Sequence, residues 1–329
     1  MYDIITIGSS TVDVFAKTEY SELIKIKSKG KAEVNFLAYP TGSKILVEEI
    51  NFTTGGGATN TAVSLSRLGH KVACISKMGC GPNSELIKKD LKKEKIETSL
   101  MVCDKKGRTG YSIVLDSIEH DRTILTFKGS NNNLKFNELN LKNLNTRWFY
   151  FSTMMDESFK TLERLANFAN KKGIKIAFNA SSYLAEKGID YSKNILKYTD
   201  IFVLNKEEAA SMTKKNNIQD MLKEICKLVK ITIITDGANE AVAYDREFTY
   251  SIKPNKVKVV ETTGAGDAFA SAFLSGMIKK NNIEFALALA MANSESVIQH
   301  HGAKNKLLTY GEALNYIKKQ PHKIIKRKL

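Results

Sequence analysis

"GGGATNTAVSLSRLGHKVACISKMG", residues 55 to 79, passes from a glycine loop into an amphipathic stretch closed at Gly69 and then into a short apolar run. Loop, helix and strand in that order form the repeating unit of a doubly wound α/β domain. The same alternation is legible on either side. "DIITIGSS" reads as a buried strand feeding a loop. "RWFYFS", a helix over 157–171, "IKIAFN", "DIFVLN", helices over 206–213 and 217–229, and "ITIITDG" follow in sequence. "EAVAYD" and helices near 284–299 and 309–319 close the chain.

Two stretches break the pattern. Between about Ser28 and Phe52, "KAEVNFL" and "SKILVEEINF" flank a Pro-Thr-Gly turn, and residues 98–128 contain "SLMVCD", "TGYSIVLD" and "DRTILTFKG". Half-polar alternation of this kind predicts antiparallel strands. With only four prolines and no Gly/Ser tract, the expectation is a single α/β domain over 1–329. Two excursions, about 12–52 and 98–128, would pair into a small overhanging sheet.

The totals exclude several classes. The chain has 329 residues, 43% hydrophobic and 26% charged, which suits a soluble fold with a substantial core. Its net charge of +15 is spread along the chain, densest in "KKQPHKIIKRKL", and reads as solvated surface biased toward anionic small molecules, not nucleic acid. No apolar run is long enough to span a membrane, and the N-terminus lacks a secretory pattern. Cys74, Cys80, Cys103 and Cys226 form no C-x-x-C pair, so free thiols in a reducing cytoplasm are expected. The histidines offer no metal-binding spacing.

Chemistry concentrates in four places. "ETTGAGDAFASAFLSGM", 261–277, sets Gly264, Ala265 and Gly266 at the start of an apolar helix. The unpaired N–H groups there can cradle phosphate oxygens. The third glycine of a dinucleotide fingerprint would fall at Phe269, and a P-loop Lys-Ser/Thr is absent. Asp267 reads either as a helix cap or as a base toward a hydroxyl beside those N–H groups. In "TTGGGATNTAV", Gly55 to Gly57 permit close backbone approach and Asn60 stands in the first helical turn. In "VLNKEEAA", Asn205 and Glu208 suit a capping box or the ordering of Mg²⁺-bound water. Asp13 lies beyond the first strand, and Asp236-Gly237 is a turn after another.

In this order the motifs resemble the ribokinase-like, or PfkB, family of carbohydrate kinases: "GSSTVD", "GGGATNTAVSLSRLG", "LNKEE" and "ETTGAGDAFASAFLSG". The resemblance implies a three-layer α/β/α sandwich with a mostly parallel central sheet and a β-sheet lid. It implies ATP-dependent phosphorylation of a sugar hydroxyl, with nucleoside or phosphosugar as the alternative acceptor. Asp267 would be the base, the Gly264–Gly266 backbone the anion hole, and Asp13, Gly56, Gly57 and Asn60 the acceptor contacts. Asn205, Asp236, Gly237 and Asn293 would serve the nucleotide, and Glu208 would influence Mg²⁺ through water. Glu261 replaces an Asp common in relatives, in a region that contributes to a monovalent-cation site in ribokinases, so K⁺ is left open as a cofactor. Lid-mediated homodimerisation is a further expectation. Arg108 and Arg122, on the lid segment, read either as solvated strand residues or as contacts for a substrate phosphate. A nicotinamide dehydrogenase lacks its glycine fingerprint here. A non-catalytic nucleotide- or sugar-binding regulator would have no need of Asp267.

Overall fold

The computed structural model describes residues 1–18, 20–27, 34–116 and 122–329. The chain opens with β1 (Tyr2–Ile7), β2 (Thr11–Lys17), β3 (Glu22–Ile26), β4 (Val34–Ala38) and β5 (Glu49–Gly55). Next come α1 (Gly57–Arg67), β6 (Val72–Ile75), β7 (Lys77–Gly79), α2 (Pro82–Lys93), β8 (Val102–Asp104), β9 (Gly110–Asp116) and β10 (Arg122–Phe127). Alternation then resumes with β11 (Thr146–Ser152), α3 (Asp156–Lys172), β12 (Lys175–Asn179), α4 (Ser182–Ala185), α5 (Ile189–Leu196), β13 (Ile201–Asn205), α6 (Lys206–Thr213), α7 (Ile218–Ile225) and β14 (Ile231–Thr235). A hairpin of β15 (Ala241–Tyr244) and β16 (Phe248–Ile252) leads to α8 (Ala265–Lys280), α9 (Ile283–Val297), α10 (Tyr310–Lys319) and β17 (Ile324–Lys328).

Nine strands form the central sheet in the order β17-β16-β15-β14-β13-β12-β11-β1-β6. The run from β14 to β6 is parallel, and β15, β16 and β17 add antiparallel strands at one edge. Period-two alternation loads both faces with apolar side chains, as a sheet covered by helices on each side requires. Ile5, Phe149, Phe151, Phe178 and Phe202 pack toward the core shared with α3, α5 and α7. Ile4, Tyr150, Ala177 and Val203 pack toward α1, α8 and α9. The result is a three-layer α/β/α sandwich. Helices α8 and α9 are buried over most of their circumference, which accounts for their nearly uninterrupted apolar sequence.

A separate four-stranded sheet, ordered β10-β9-β2-β5, is built from the two excursions. Its register aligns Asp13 with Thr53 on β5 and with Ser112 on β9, and Ser112 with Thr126 on β10. Asp13, Ser112 and Thr126 therefore share one face.

Several local readings are corrected. "SLMVCD" contributes β8, which pairs in parallel with β7 (Lys77↔Val102) and not within the four-stranded sheet, which is itself mixed: β9 runs antiparallel to β10 but parallel to β2. Of "SKILVEEINF", only 49–52 is strand; the preceding residues, with Leu46 and Val47 exposed, run as loop. "KAEVNFL" lies partly outside the described residues. The basic tail forms β17, an edge strand on β16, where Lys326 Nζ lies 4.1 Å from the Phe248 ring centroid. A charged edge discourages pairing with another chain. The free-thiol expectation is also corrected: Cys80 and Cys103 are disulfide-bonded, while Cys74 and Cys226 are buried free thiols. Among the described residues, no helix is long and apolar enough to cross a membrane.

Candidate active site

At the carboxyl ends of β1 and β11 the helices α1 and α8 meet. Their contact is polar along one line: Ser271 Oγ donates to Ser64 Oγ at 2.7 Å, and Asn293 Nδ2 donates to Ser64 Oγ at 3.0 Å. At the open end of this line Asn60 Nδ2 donates to Asp267 Oδ2 at 2.9 Å, joining residues 207 positions apart. Burial pushes the Asp267 carboxyl up to about 6, against the lowering effect of the Asn60 hydrogen bond. Tyr150 lies buried nearby, its phenol held well above its ordinary value by burial and then by the Asp267 charge.

The two helix N-termini differ. In α1, Gly57 N–H donates to Ser9 Oγ at 3.2 Å and Ala58 N–H to Ser9 O at 3.1 Å. Gly56 has φ +101°, and a Cβ there would lie 2.5 Å from Ser9 O, so only glycine admits this crossing. In α8, Ala265 N–H donates to Thr262 O at 3.2 Å. The Gly264, Gly266 and Asp267 N–H groups have no protein acceptor among the described residues. Asp267 sits at the third helical position and Gly264 is the cap residue, with φ +79°. Asp267 is thus not the N-cap, and its carboxylate stands beside free N–H groups at the positive end of a buried helix.

Opposite this point, Asp13 projects from β2. Burial lifts its carboxyl above the ordinary range, against the lowering effect of the neighbouring Thr11 and Ser112 hydroxyls, and Oδ1 is buried with no partner. Gly55 leaves the room its carboxylate occupies. Asn60 Oδ1 and Ser152 Oγ are likewise buried and unpartnered. Such orphaned atoms around one cleft mark a place where polar ligand groups would complete the hydrogen bonding. Below the cleft, Lys304 Nζ lies 2.5 Å from Asp90 Oδ2, and both groups hydrogen-bond to Thr54 Oγ1. This cluster ties β5, α2 and the 301–307 segment together. Glu261 Oε2 accepts from Gly302 N–H at 2.8 Å and lies 3.6 Å from His301 Nδ1.

Along the same sheet edge, Asn205 and Glu208 form a capping box: Glu208 N–H donates to Asn205 Oδ1, and Asn205 N–H to Glu208 Oε2, each at 2.8 Å. Burial raises the Glu208 carboxyl. Asp236, in the turn after β14, accepts from Lys206 Nζ at 2.8 Å, which holds its carboxyl below the ordinary range. Gly237 has φ +50° and open space around it. Asn293, expected to serve the nucleotide, sits within the packed helices. It is fully buried, donating to Ser64 Oγ and Ala268 O and accepting from Leu308 N–H at 2.9 Å. Of the lid arginines, Arg108 lines a groove with Gly79 and Phe127, and the Arg122 side chain lies outside the described residues. Sequence reasoning missed Ser112, whose place at the cleft depends on strand register, and Lys128, whose place depends on the turn after β10.

No group of three or more His, Cys, Asp or Glu side chains suited to a metal occurs among the described residues. The donor set of one carboxylate and one amide at the β13 edge fits a magnesium ion that keeps its waters and rides on phosphates.

The sequence profile described as pfkB family carbohydrate kinase matches residues 6–309. The chain belongs to this family. It is therefore a phosphotransferase with a hydroxyl acceptor, a kinase of the sugar and nucleoside class. The family uses ATP, typically with Mg²⁺. An uncharacterized sugar kinase of Archaeoglobus fulgidus is 26% identical over 250 residues, covering 74% of this chain and 98% of that protein. A Staphylococcus aureus ribokinase is 24% identical over 310 residues, covering 92% and 95%. The crystal structure of Methanocaldococcus jannaschii nucleoside kinase superposes with a TM-score of 0.77 over 97% of this chain and 99% of that one, at 21% identity.

Proposed function

We propose that this kinase transfers the γ-phosphoryl group of ATP to a hydroxyl of a sugar-type acceptor, with Asp267 as the general base. The observation that carries this reading is the Asp267 carboxyl, lifted to about 6 and bonded to Asn60, among the free N–H groups of α8. With that value it is about nine-tenths ionised at pH 7 and still far more basic than an ordinary aspartate. The acceptor oxygen forms a bond to the γ-phosphorus as its proton passes to Asp267. The bond from phosphorus to the β–γ bridging oxygen breaks, and ADP leaves. The Gly264–Gly266 backbone meets the charge on the transferring group, a role worth several kcal/mol in comparable anion holes, about 3–4 per donor.

Asp13, Gly56, Gly57 and Asn60 hold the acceptor hydroxyls; Asp13 Oδ1 and Asn60 Oδ1 are the unpartnered acceptors available to them. Asn205, Asp236 and Gly237 border the nucleotide phosphates. Asn293 acts on the nucleotide side through the Leu308 segment it holds. Magnesium, when bound, would neutralise phosphate charge, and Glu208 orients its water shell. The sheet β10-β9-β2-β5 closes over the acceptor and excludes water, which suppresses ATP hydrolysis. Acceptor-dependent ADP formation, measured over pentoses, hexoses, phosphosugars and nucleosides with and without K⁺, tests the reading. The result expected is turnover that falls by about 10²–10⁴ in Asp267→Asn with ATP still bound. Undiminished turnover in that variant removes Asp267 from the role.

A further inference from the structure

Lys128 follows β10 directly, where the backbone turns helical (φ −70°, ψ −32°), and its ammonium lies within reach of the Asp13 charge. Its backbone is fixed by Asn131, whose N–H and Nδ2 both donate to Lys128 O, at 3.2 and 3.0 Å. Asn131 is buried and its Oδ1 accepts from Ser10 N–H at 2.9 Å, so the turn is anchored to the β1–β2 loop. The Lys128 ammonium lies 4.6 Å from the ring centroid of Tyr183 on α4, across the cleft mouth. A cation on an aromatic face is held in place while its donors stay free. The Asp13 charge acts on it, yet among the described residues no carboxylate stands within ion-pairing distance of it.

Two opposite charges therefore face one cleft without neutralising each other. Among the described residues no cation ion-pairs with Asp13; burial raises its carboxyl, and the more distant Lys304 charge lowers it without offsetting that rise. Lys128 is pulled the other way, its ammonium destabilised by burial. A carboxylate that accepts and an ammonium that donates would suit an acceptor with hydroxyls at one end and an anion at the other. A neutral polyol would leave the half-buried ammonium with no counter-charge, at a desolvation cost.

Resting on the kinase reading above, we infer that Lys128 reads an anionic oxygen group on the acceptor, a carboxylate or a phosphate, and that this enzyme phosphorylates anionic polyols in preference to neutral sugars. Lys128 supplies charge-assisted hydrogen bonds to that group while Asp13 takes hydroxyls. The basic character of the chain, +15 overall, favours encounter with such substrates.

The test compares kcat/KM for matched pairs: D-gluconate against D-glucose for the carboxylate arm, and D-fructose 6-phosphate against D-fructose for the phosphate arm. The wild type is expected to prefer the anionic member of at least one pair. Lys128→Met should lower that anionic-to-neutral ratio about 10–100-fold, the scale of a hydrogen bond to a charged group, and Lys128→Glu should lower it further. Preference for the neutral member in both pairs overturns the inference and leaves the kinase reading intact. So does an equal loss on both members in Lys128→Met, which would make Lys128 a latch between the lid and α4. If no acceptor in either arm is phosphorylated, the kinase reading is decided separately by the wider acceptor panel above. Calorimetry of D-gluconate and D-fructose 6-phosphate then decides: binding weakened in Lys128→Met supports the inference, and equal or absent binding of both overturns it.

Discussion

Replacing Asp267 by Asn should cost activity and raise stability together. The carboxyl value rises from 3.8 to about 6 on folding, with burial as the dominant cause. At about 1.4 kcal/mol per pH unit, that rise corresponds to about 3 kcal/mol of destabilisation when the group is ionised. Asp267 keeps part of its surface open to the cleft, so screening reduces the effect to about 1–2 kcal/mol. Asparagine is nearly isosteric and still accepts the Asn60 hydrogen bond, so the contact between α1 and α8 survives. The sign follows from the direction of the shift. The folded state binds the proton more tightly than the unfolded chain, so the carboxylate is a liability above about pH 6. That liability fades as the pH falls toward 4, where both states become protonated. At roughly 2 cal/mol/K per residue, a chain of this length should gain about 1.5–3 °C in melting temperature at pH 8. Little difference should remain near pH 4. Calorimetry of the ligand-free proteins across that range is the assay. A variant less stable at pH 8, or a difference that does not change with pH, would refute a buried, proton-hungry carboxylate at 267. The same value places the acid limb of the kcat/KM profile near pH 6.

Lys304→Met should destabilise by about 1–3 kcal/mol, because it leaves the partly buried Asp90 carboxylate and Thr54 hydroxyl without their cation. A double-mutant cycle with Asp90→Asn should return a coupling of similar size, and additivity would show that the pair contributes nothing. Gly264→Ala places a Cβ 2.5 Å from Ala303 Cβ at a residue with φ +79°. It should cost about 1–3 kcal/mol in stability and cut kcat at least about 10-fold by displacing the α8 N–H groups. Gly266→Ala, where nothing lies within 4 Å of the added carbon, should leave the melting temperature within about 1 °C. Equal melting temperatures for the two variants would contradict the packing of Gly264 on Ala303.

The parts of this molecule that were legible in the sequence are those fixed by neighbours along the chain. The sandwich follows from helix and strand periods, and the glycine loops before α1 and α8 from residues within a few positions. What depended on partners far away was not legible. Asn60 and Asp267 were each noticed, but nothing in the spacing says that they hydrogen-bond across 207 positions. "SLMVCD" alternates as any short strand does, and only its pairing with Lys77–Gly79 makes it parallel. The link between Cys80 and Cys103 has no spacing signature. Asn205 and Glu208 were open between cap and ligand; the structure forms the cap, and the spacing that permits it is the same for both. Lys128 lies just past the paired residues of β10, in a turn that Asn131 anchors to Ser10 121 positions away, and such a hold has no sequence signal.

The meeting of α1 and α8 divides the enzyme's labour. Asn60, Asp267 and the serines beneath them belong to helices packed on the central sheet, whereas Asp13, Ser112 and Lys128 stand on the strands, or directly after the last strand, of the smaller one. Side chains on the smaller sheet can be exchanged without moving the carboxylate relative to the helix that carries it. With Asp267 as the proposed base and Asp13 and Lys128 as the proposed acceptor contacts, choice of acceptor and competence for transfer would be mechanically separable in this chain. A library confined to β2, β9, β10 and the turn at Lys128 should change which molecules are used while leaving the pH dependence near 6 as a fixed signature of the transferring machinery.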